Sequence, residues 1–192
     1  MKKRCLTSKH HSSLTTLVVR RAPNNHQQGI VAINGGYRFR CALGKGGITT
    51  RKREGDGATP RSSMRMLQGF YKPSLKLFKR PQLTMKAMRK DNGWCDATLS
   101  KQNYHYSSNY NRPVKLPFAA SHETMRRKDQ LYDIGFILDW NITCRKQRCG
   151  SAIFLHIEKN NYQPTLGCIA LSRRDMERLM PHFSRKTTWV VL

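Results

Sequence analysis

Residues 150–172 read GSAIFLHIEKNNYQPTLGCIALS. The run from Ser151 to Ile157 is almost wholly apolar, as a strand buried on both faces requires. On such a strand Ala152, Phe154 and His156 project to one side and Ile153, Leu155 and Ile157 to the other. Asn160, Asn161 and Pro164 then mark a connecting loop. After it, Thr165-Leu166-Gly167-Cys168-Ile169-Ala170-Leu171 returns the chain as a neighbouring segment. This reading sets Cys168 close to His156 and predicts a mainly β fold.

The same alternation recurs outward from this stretch. Residues 131–140 place Tyr132, Ile134, Phe136, Leu138 and Trp140 on one face, opposite Asp133, Gly135 and Asp139. Residues 30–43 read as a hairpin in which Asn34-Gly35 supplies a type I′ turn. Its second arm sets Tyr37, Phe39, Cys41 and Leu43 against Arg38 and Arg40. Residues 187–192 close the chain as a strand, and residues 14–19 open it. A helix starts where Ser172 caps Asp175, carries Met176, Leu179 and Met180 inward, and stops at Pro181. Between Lys45 and Ser121 the pattern dissolves into Gly, Pro, Asn and basic residues, which predicts long functional loops. The expected organisation is a basic polar tail over 1–13 and one domain over 14–192, with a short C-terminal helix and long irregular loops.

Net charge is +25, from 36 Lys and Arg against 11 Asp and Glu. Such a balance predicts attraction to polyanions, acidic wall polymers among them. The basic residues are spread as doublets and triplets, including Arg51-Lys52-Arg53 and Arg126-Arg127-Lys128, so no specific nucleic-acid site is expected. No apolar run approaches the ~18 residues of a membrane helix. Met1-Lys2-Lys3-Arg4 has the basic start of an export signal, but neither the apolar region nor the cleavage site follows. The six cysteines (Cys5, Cys41, Cys95, Cys144, Cys149 and Cys168) have irregular spacing and no CxxC, which speaks against a disulfide framework, a zinc ribbon and a thioredoxin motif.

Chemically, a thiol near pKa 8.5 is only a few per cent ionised at neutral pH, and a neighbouring imidazole raises that fraction. Gly167 lets a substrate approach the backbone, and the amides of Gly167 and Cys168 can stabilise an oxyanion. The competing reading of Cys168 is a buried structural cysteine. Cys144, Cys149, His156 and Cys168 also form C-x4-C-x6-H-x11-C, a candidate zinc set for a nucleic-acid-binding module, although His156 sits in an apolar strand. Cys144 and Cys149 are otherwise free thiols or a loop disulfide. Glu54 and Asp56 in a Gly-rich loop can attract an amine or form a polar turn. Trp94 and Tyr110 can line a groove or fill core. Asp96, Arg112 and Asp133 read first as structural polar partners.

His156 followed by Thr165-Leu166-Gly167-Cys168 resembles the catalytic signature of the L,D-transpeptidase (YkuD-type) family. The resemblance extends to CALGKGG (41–47), KREGDGATP (52–60), GWCD (93–96), YNRPVKLP (110–117) and LYDIGFILDWN (131–141), which look like the compact branch of that family found in alphaproteobacteria. It implies a β-sandwich and a cysteine acyl transfer on peptidoglycan stem peptides. Cys168 would be the nucleophile, His156 the base and Gly167 with Cys168 the oxyanion donors. Thr165, Glu54, Asp56, Trp94 and Tyr110 would meet substrate. It further implies a monomer in the periplasm or cell envelope, with no cofactor or metal. Water as acceptor would make the protein an L,D-carboxypeptidase. The chain departs from the family pattern at Leu166 (a second His), Ala170 (an Arg), Ile157 (a Gly) and Ser62 or Ser63 (a Gly).

Overall fold

The computed structural model describes residues 15–77, 79–99 and 108–192, so the expected tail lies outside the described residues. Strands β1 (Thr16–Ala22), β2 (Asn25–Ala32) and β3 (Arg38–Ala42) form an antiparallel meander. The β2–β3 hairpin is present, but its turn sits one residue later than the sequence suggests. The positive φ angles belong to Gly35 (87°) and Gly36 (80°), and the Ile33 N–H donates to the Tyr37 carbonyl to close the loop. Phe39, Cys41 and Leu43 are buried while Arg38 and Arg40 are exposed, as period two requires.

The region expected to be irregular is not so throughout. After the short parallel pair β4 (Ile48–Thr49) and β5 (Thr59–Pro60) comes β6, Ser63–Tyr71, a strand of 9 residues. It is followed by β7 (Met85–Ala87), β8 (Asn92–Cys95), β9 (Arg112–Lys115) and β10 (His122–Thr124), the last three forming a separate small sheet. Met64 and Met66 of β6 point into the core and Arg65 points out. This alternation is clear at the start of β6 and fades where Gly69-Phe70 is buried.

The remaining elements are β11 (Ile134–Leu138), β12 (Phe154–Ile157), β13 (Ile169–Leu171), helix α1 (Arg173–Leu179) and β14 (Thr188–Val191). The main sheet runs β11-β12-β13-β3-β2-β1-β14-β6-β7, and β6 also pairs with β11. The sheet therefore closes on itself, its two layers facing one core as the expected sandwich-like β fold requires. Leu17, Val31, Cys41, Met64, Phe136, Leu155, Leu171 and Trp189 fill that interior. Ser172 caps α1 by accepting from the Asp175 N–H at 3.1 Å, and Met176 and Leu179 are buried. Pro181 does not end the turn at once: Met180–His182 continues as one 3-10 turn.

A second apolar cluster forms on the other face of β12. Phe70, Trp94, Met125, Tyr132 and Phe154 meet there, and Cys168 belongs to it. Phe154 stands edge-on to Trp94, with ring centroids 5.1 Å apart, and to Tyr132 at 6.0 Å. The two faces predicted for residues 152–157 are thus both buried, one in each cluster.

Candidate active site

β12 and β13 run parallel, with His156 opposite Ala170 and Leu155 opposite Ile169. Cys168 immediately precedes β13, so the thiol is carried by the segment that leads into the strand paired with β12, on which His156 lies. Both side chains line one cleft of about 540 Å³. The fold therefore does bring together the two residues expected to be neighbours.

Their hydrogen bonds define a resting arrangement. The Cys168 Sγ accepts from the Phe154 N–H at 3.3 Å and donates to the Ala152 carbonyl at 3.2 Å. Ala152 has a φ of 52°, a left-handed conformation just before β12. The His156 Nδ1 lies 2.8 Å from the Ile157 carbonyl. A carbonyl can only accept, so Nδ1 carries the proton and Nε2 presents the lone pair. Burial, the largest influence, pushes the His156 imidazole down to about 4, with the Arg127 charge adding and the Ile157 carbonyl opposing. Burial likewise pushes the Cys168 thiol up to about 12, against the Phe154 N–H and Lys52. The resting pair is neutral thiol and neutral imidazole.

A stack holds the imidazole from behind. The Tyr132 ring lies edge-on to His156 at 5.3 Å, and the Arg127 guanidinium sits 5.3 Å from the Tyr132 ring centroid. Arg127 is fixed in turn by Glu123, at 2.6 Å, and by Asp129. Arg127 stands within a basic triplet that reads in the sequence as plain solvated surface. Only the fold, by seating it on Tyr132, gives it a place at the site.

The loop before the thiol is built by Thr165 and Gly167. The Thr165 hydroxyl donates to the Cys168 carbonyl at 2.7 Å and accepts from the Gly167 N–H at 3.1 Å. Its backbone is tied to Leu43 and Lys45. Gly167 has a φ of 135°, and a Cβ there would meet the Ala58 carbonyl oxygen at 2.9 Å. Backbone conformation and this close packing account for the glycine, before any approach of substrate. Leu166 is 75 % exposed at the mouth.

Other expected site residues divide by place. Glu54 lines the cleft beside Gly55 and Gly57 and accepts from the Tyr110 hydroxyl. Asp56 does not line it: one carboxylate oxygen takes the Lys52 ammonium and the Ala58 N–H, the other the Arg53 N–H. Partial burial works against the Asp56 charge, yet these bonds, that of Lys52 first, hold its carboxyl below the usual range. Tyr110 and Trp94 are buried behind the wall, where Trp94 donates to Asn111 at 3.0 Å. Asn111 also accepts from the Ala152 N–H at 3.0 Å, which links that aromatic wall to the thiol's carbonyl partner.

Asp96 does line the cleft. Asp133 pairs instead with Arg173 and Lys72. Facing the cleft with Glu54, Asp96 and Glu123 are Lys45, Arg127 and Lys159. Lys159 is one of many scattered lysines in the sequence, and Lys45 lies in the CALGKGG motif without a role of its own there. The four residues of the candidate zinc set do not converge: Cys144 is exposed, and among the described residues no group of three or more His, Cys, Asp or Glu is placed to hold a metal ion. Cys41, Cys95, Cys144, Cys149 and Cys168 are all free thiols. Among the described residues no helix is long and apolar enough to cross a membrane.

The closed, mainly β sheet thus presents Cys168 and His156 from neighbouring segments to one cleft. The model of the L,D-transpeptidase catalytic domain (YkuD) matches residues 17–192, and the chain belongs to this family. No curated protein matches it. Among solved structures it is similar to Bd1075 of Bdellovibrio bacteriovorus, at 11% identity and a TM-score of 0.43, over 93% of this chain and 48% of that one. It is also similar to L,D-transpeptidase 1 of Mycobacterium tuberculosis, at 11% identity and a TM-score of 0.38, over 92% of this chain and 61% of that one. The chain thus spans about half to three fifths of the length of these structures.

Proposed function

We propose that the chain is a peptidoglycan L,D-transpeptidase acting in the cell envelope, with Cys168 as nucleophile and His156 as general base. The observation that carries this reading is the shared cleft, in which a buried thiol stands one strand from an imidazole whose Nε2 is free to take a proton. In the first half-reaction the thiol turns from the Ala152 carbonyl toward Nε2 and gives up its proton as Sγ attacks the carbonyl of the third stem residue. The Cys168 N–H, joined by that of Gly167 once Thr165 releases it, receives the oxyanion. Nε2 then returns the proton to the departing D-Ala amine, leaving a thioester. An acceptor amine attacks the thioester, His156 takes its proton, and Sγ leaves with it.

Neutral resting groups suit this sequence. The proton crosses only as the sulfur–carbon bond forms, so no ion pair need be stored in an apolar pocket. The cleft's charge is also of two kinds, as a stem peptide's is. Lys45 and Lys159 make no ion pair among the described residues, and they suit the stem carboxylates in place of the Arg missing at Ala170. Glu54, Asp96 and Glu123 suit the amine. Thr165 shapes the cysteine loop, and Asp56, Trp94 and Tyr110 support the wall.

Incubating the protein with a tetrapeptide stem under reducing conditions tests the reading. A mass adduct on Cys168 with release of D-Ala is expected; neither appearing would sink it. Adding a diamino-acid acceptor separates cross-linking from hydrolysis, because a carboxypeptidase gives only the tripeptide.

A further inference from the structure

A larger groove, of about 960 Å³, lies away from the thiol. β3 runs antiparallel to β13, with Ala42 opposite Ala170 and Cys41 opposite Leu171. Phe39 and the hairpin turn therefore lie toward the α1 end of β13, whereas Cys168 stands at its start. Ile33, Phe39, Leu179 and Pro181 give the groove apolar walls, and Tyr37 beside them is 60% exposed. Lys79, Arg174 and Arg178 also line it and are exposed. They make no ion pair among the described residues. Arg178 rests 5.8 Å from the Phe39 ring centroid. The acid in the lining, Glu177, faces Arg173 at 3.8 Å.

The charge decides what can cover this surface. Residues 1–14 include Lys2, Lys3, Arg4 and Lys9 and no acid, and a second copy would bring another +25; both are like-charged and repelled. A linear polyanion would satisfy the cations but leave the apolar walls and Tyr37 in water. An anionic amphiphile meets both. We infer that this groove docks the protein on an anionic phospholipid surface. Lys79, Arg174 and Arg178 take the lipid phosphates, and Tyr37 with Ile33 enters the interfacial layer, where an aromatic ring with a polar tip is favoured. The inference stands apart from the proposed reaction and uses none of its residues.

The test is sedimentation of the full chain with vesicles of phosphatidylglycerol and phosphatidylcholine, against phosphatidylcholine alone. Three basic contacts at a membrane surface are together worth roughly a hundredfold in affinity. The triple variant Lys79→Gln, Arg174→Gln, Arg178→Gln should lose about that much. A charge-matched triple, Arg51→Gln, Arg53→Gln, Arg148→Gln, alters a basic patch elsewhere that has no such apolar walls and should lose less than roughly tenfold. Tyr37→Ser should abolish the vesicle binding that survives at raised salt. Equal losses in the two triples would overturn the inference in favour of diffuse charge. So would a groove triple that weakens polyphosphate binding as much as vesicle binding while Tyr37→Ser changes nothing. The replaced side chains are exposed, and thermal melting of each variant verifies that the fold is kept.

Discussion

At the start of β13 the cleft sets Glu54, Asp96 and Glu123 against Lys45, Arg127 and Lys159. Toward the other end of that strand, Lys79, Arg174 and Arg178 stand round apolar walls and make no ion pair among the described residues, while Glu177 in the same lining faces Arg173. The first region holds its thiol, imidazole and guanidinium by directed bonds: Sγ between Phe154 and Ala152, Nδ1 on Ile157, Arg127 between two carboxylates. The second holds its cations by very little. Where groups are held by directed bonds, as Sγ, Nδ1 and the Arg127 guanidinium are, position is fixed, and position is what bond-making chemistry needs. Where cations are left exposed and unmatched, long-range attraction remains for a partner of opposite sign.

The sharpest way to break this comparison is to remove the thiol. Cys168→Ala should reduce D-Ala release by roughly a thousandfold or more while costing only about 1 kcal/mol of stability. Denaturant melts beside a stem-peptide assay check both, and a folded variant with retained turnover would refute the assignment. His156→Gln comes next, with a rate loss of roughly a hundredfold to ten-thousandfold.

The same imidazole gives a stability prediction. Its folded value, about 4, lies below the unfolded one near 6.5, so the folded state resists taking up the proton. Its contribution, up to about 3 kcal/mol, is present above pH 6.5 and is lost as pH falls toward 4. Urea melts between pH 7 and 4 should show the loss in the native chain and a smaller one in His156→Gln. Alkylation of Cys168 by iodoacetamide should keep rising with pH well beyond 8.5, because the thiol is pushed up to about 12. A plateau at neutral pH would mean a stored thiolate.

Gly167→Ala should cost about 1–3 kcal/mol through its positive φ and the Ala58 carbonyl, and should lower activity by displacing Cys168. Thr165→Val, which strips two hydrogen bonds from the cysteine loop, should cost about 1–2 kcal/mol. The smallest effect is expected at Leu166. Being 75 % exposed, its change to Ala should move stability by no more than about 0.5 kcal/mol.

Much of this arrangement was legible before the fold was known, for physical reasons that differ by residue. Phe154, His156 and Leu155 announce their faces because strand periodicity is local, and Ser172 announces a cap because its partner is three residues away. The nearness of Cys168 to His156 was readable because a single loop returns the chain beside the strand that carries the imidazole. β6 was lost because its alternation stops at Gly69-Phe70 amid basic and Gly-rich flanks. The turn was misplaced by one residue because Gly35-Gly36 supplies positive φ without help from Asn34. The partnership of Tyr110 with Glu54 and the seat of Arg127 on Tyr132 could not be read at all. Each joins separate segments that only the finished fold brings face to face.

The closure of the main sheet has a consequence for timing. β14 lies between β1 and β6, pairing with Thr16–Val19 on one side and Ser63–Arg65 on the other. During synthesis the ring must therefore wait for residues 188–191 before its last gap is filled. Until then β1 and β6 each present an unpaired edge, the feature that makes incomplete sheets sticky. The ring is sealed only once residues 188–191 are in place between β1 and β6, and such long-range pairing sets a slow pace for that step.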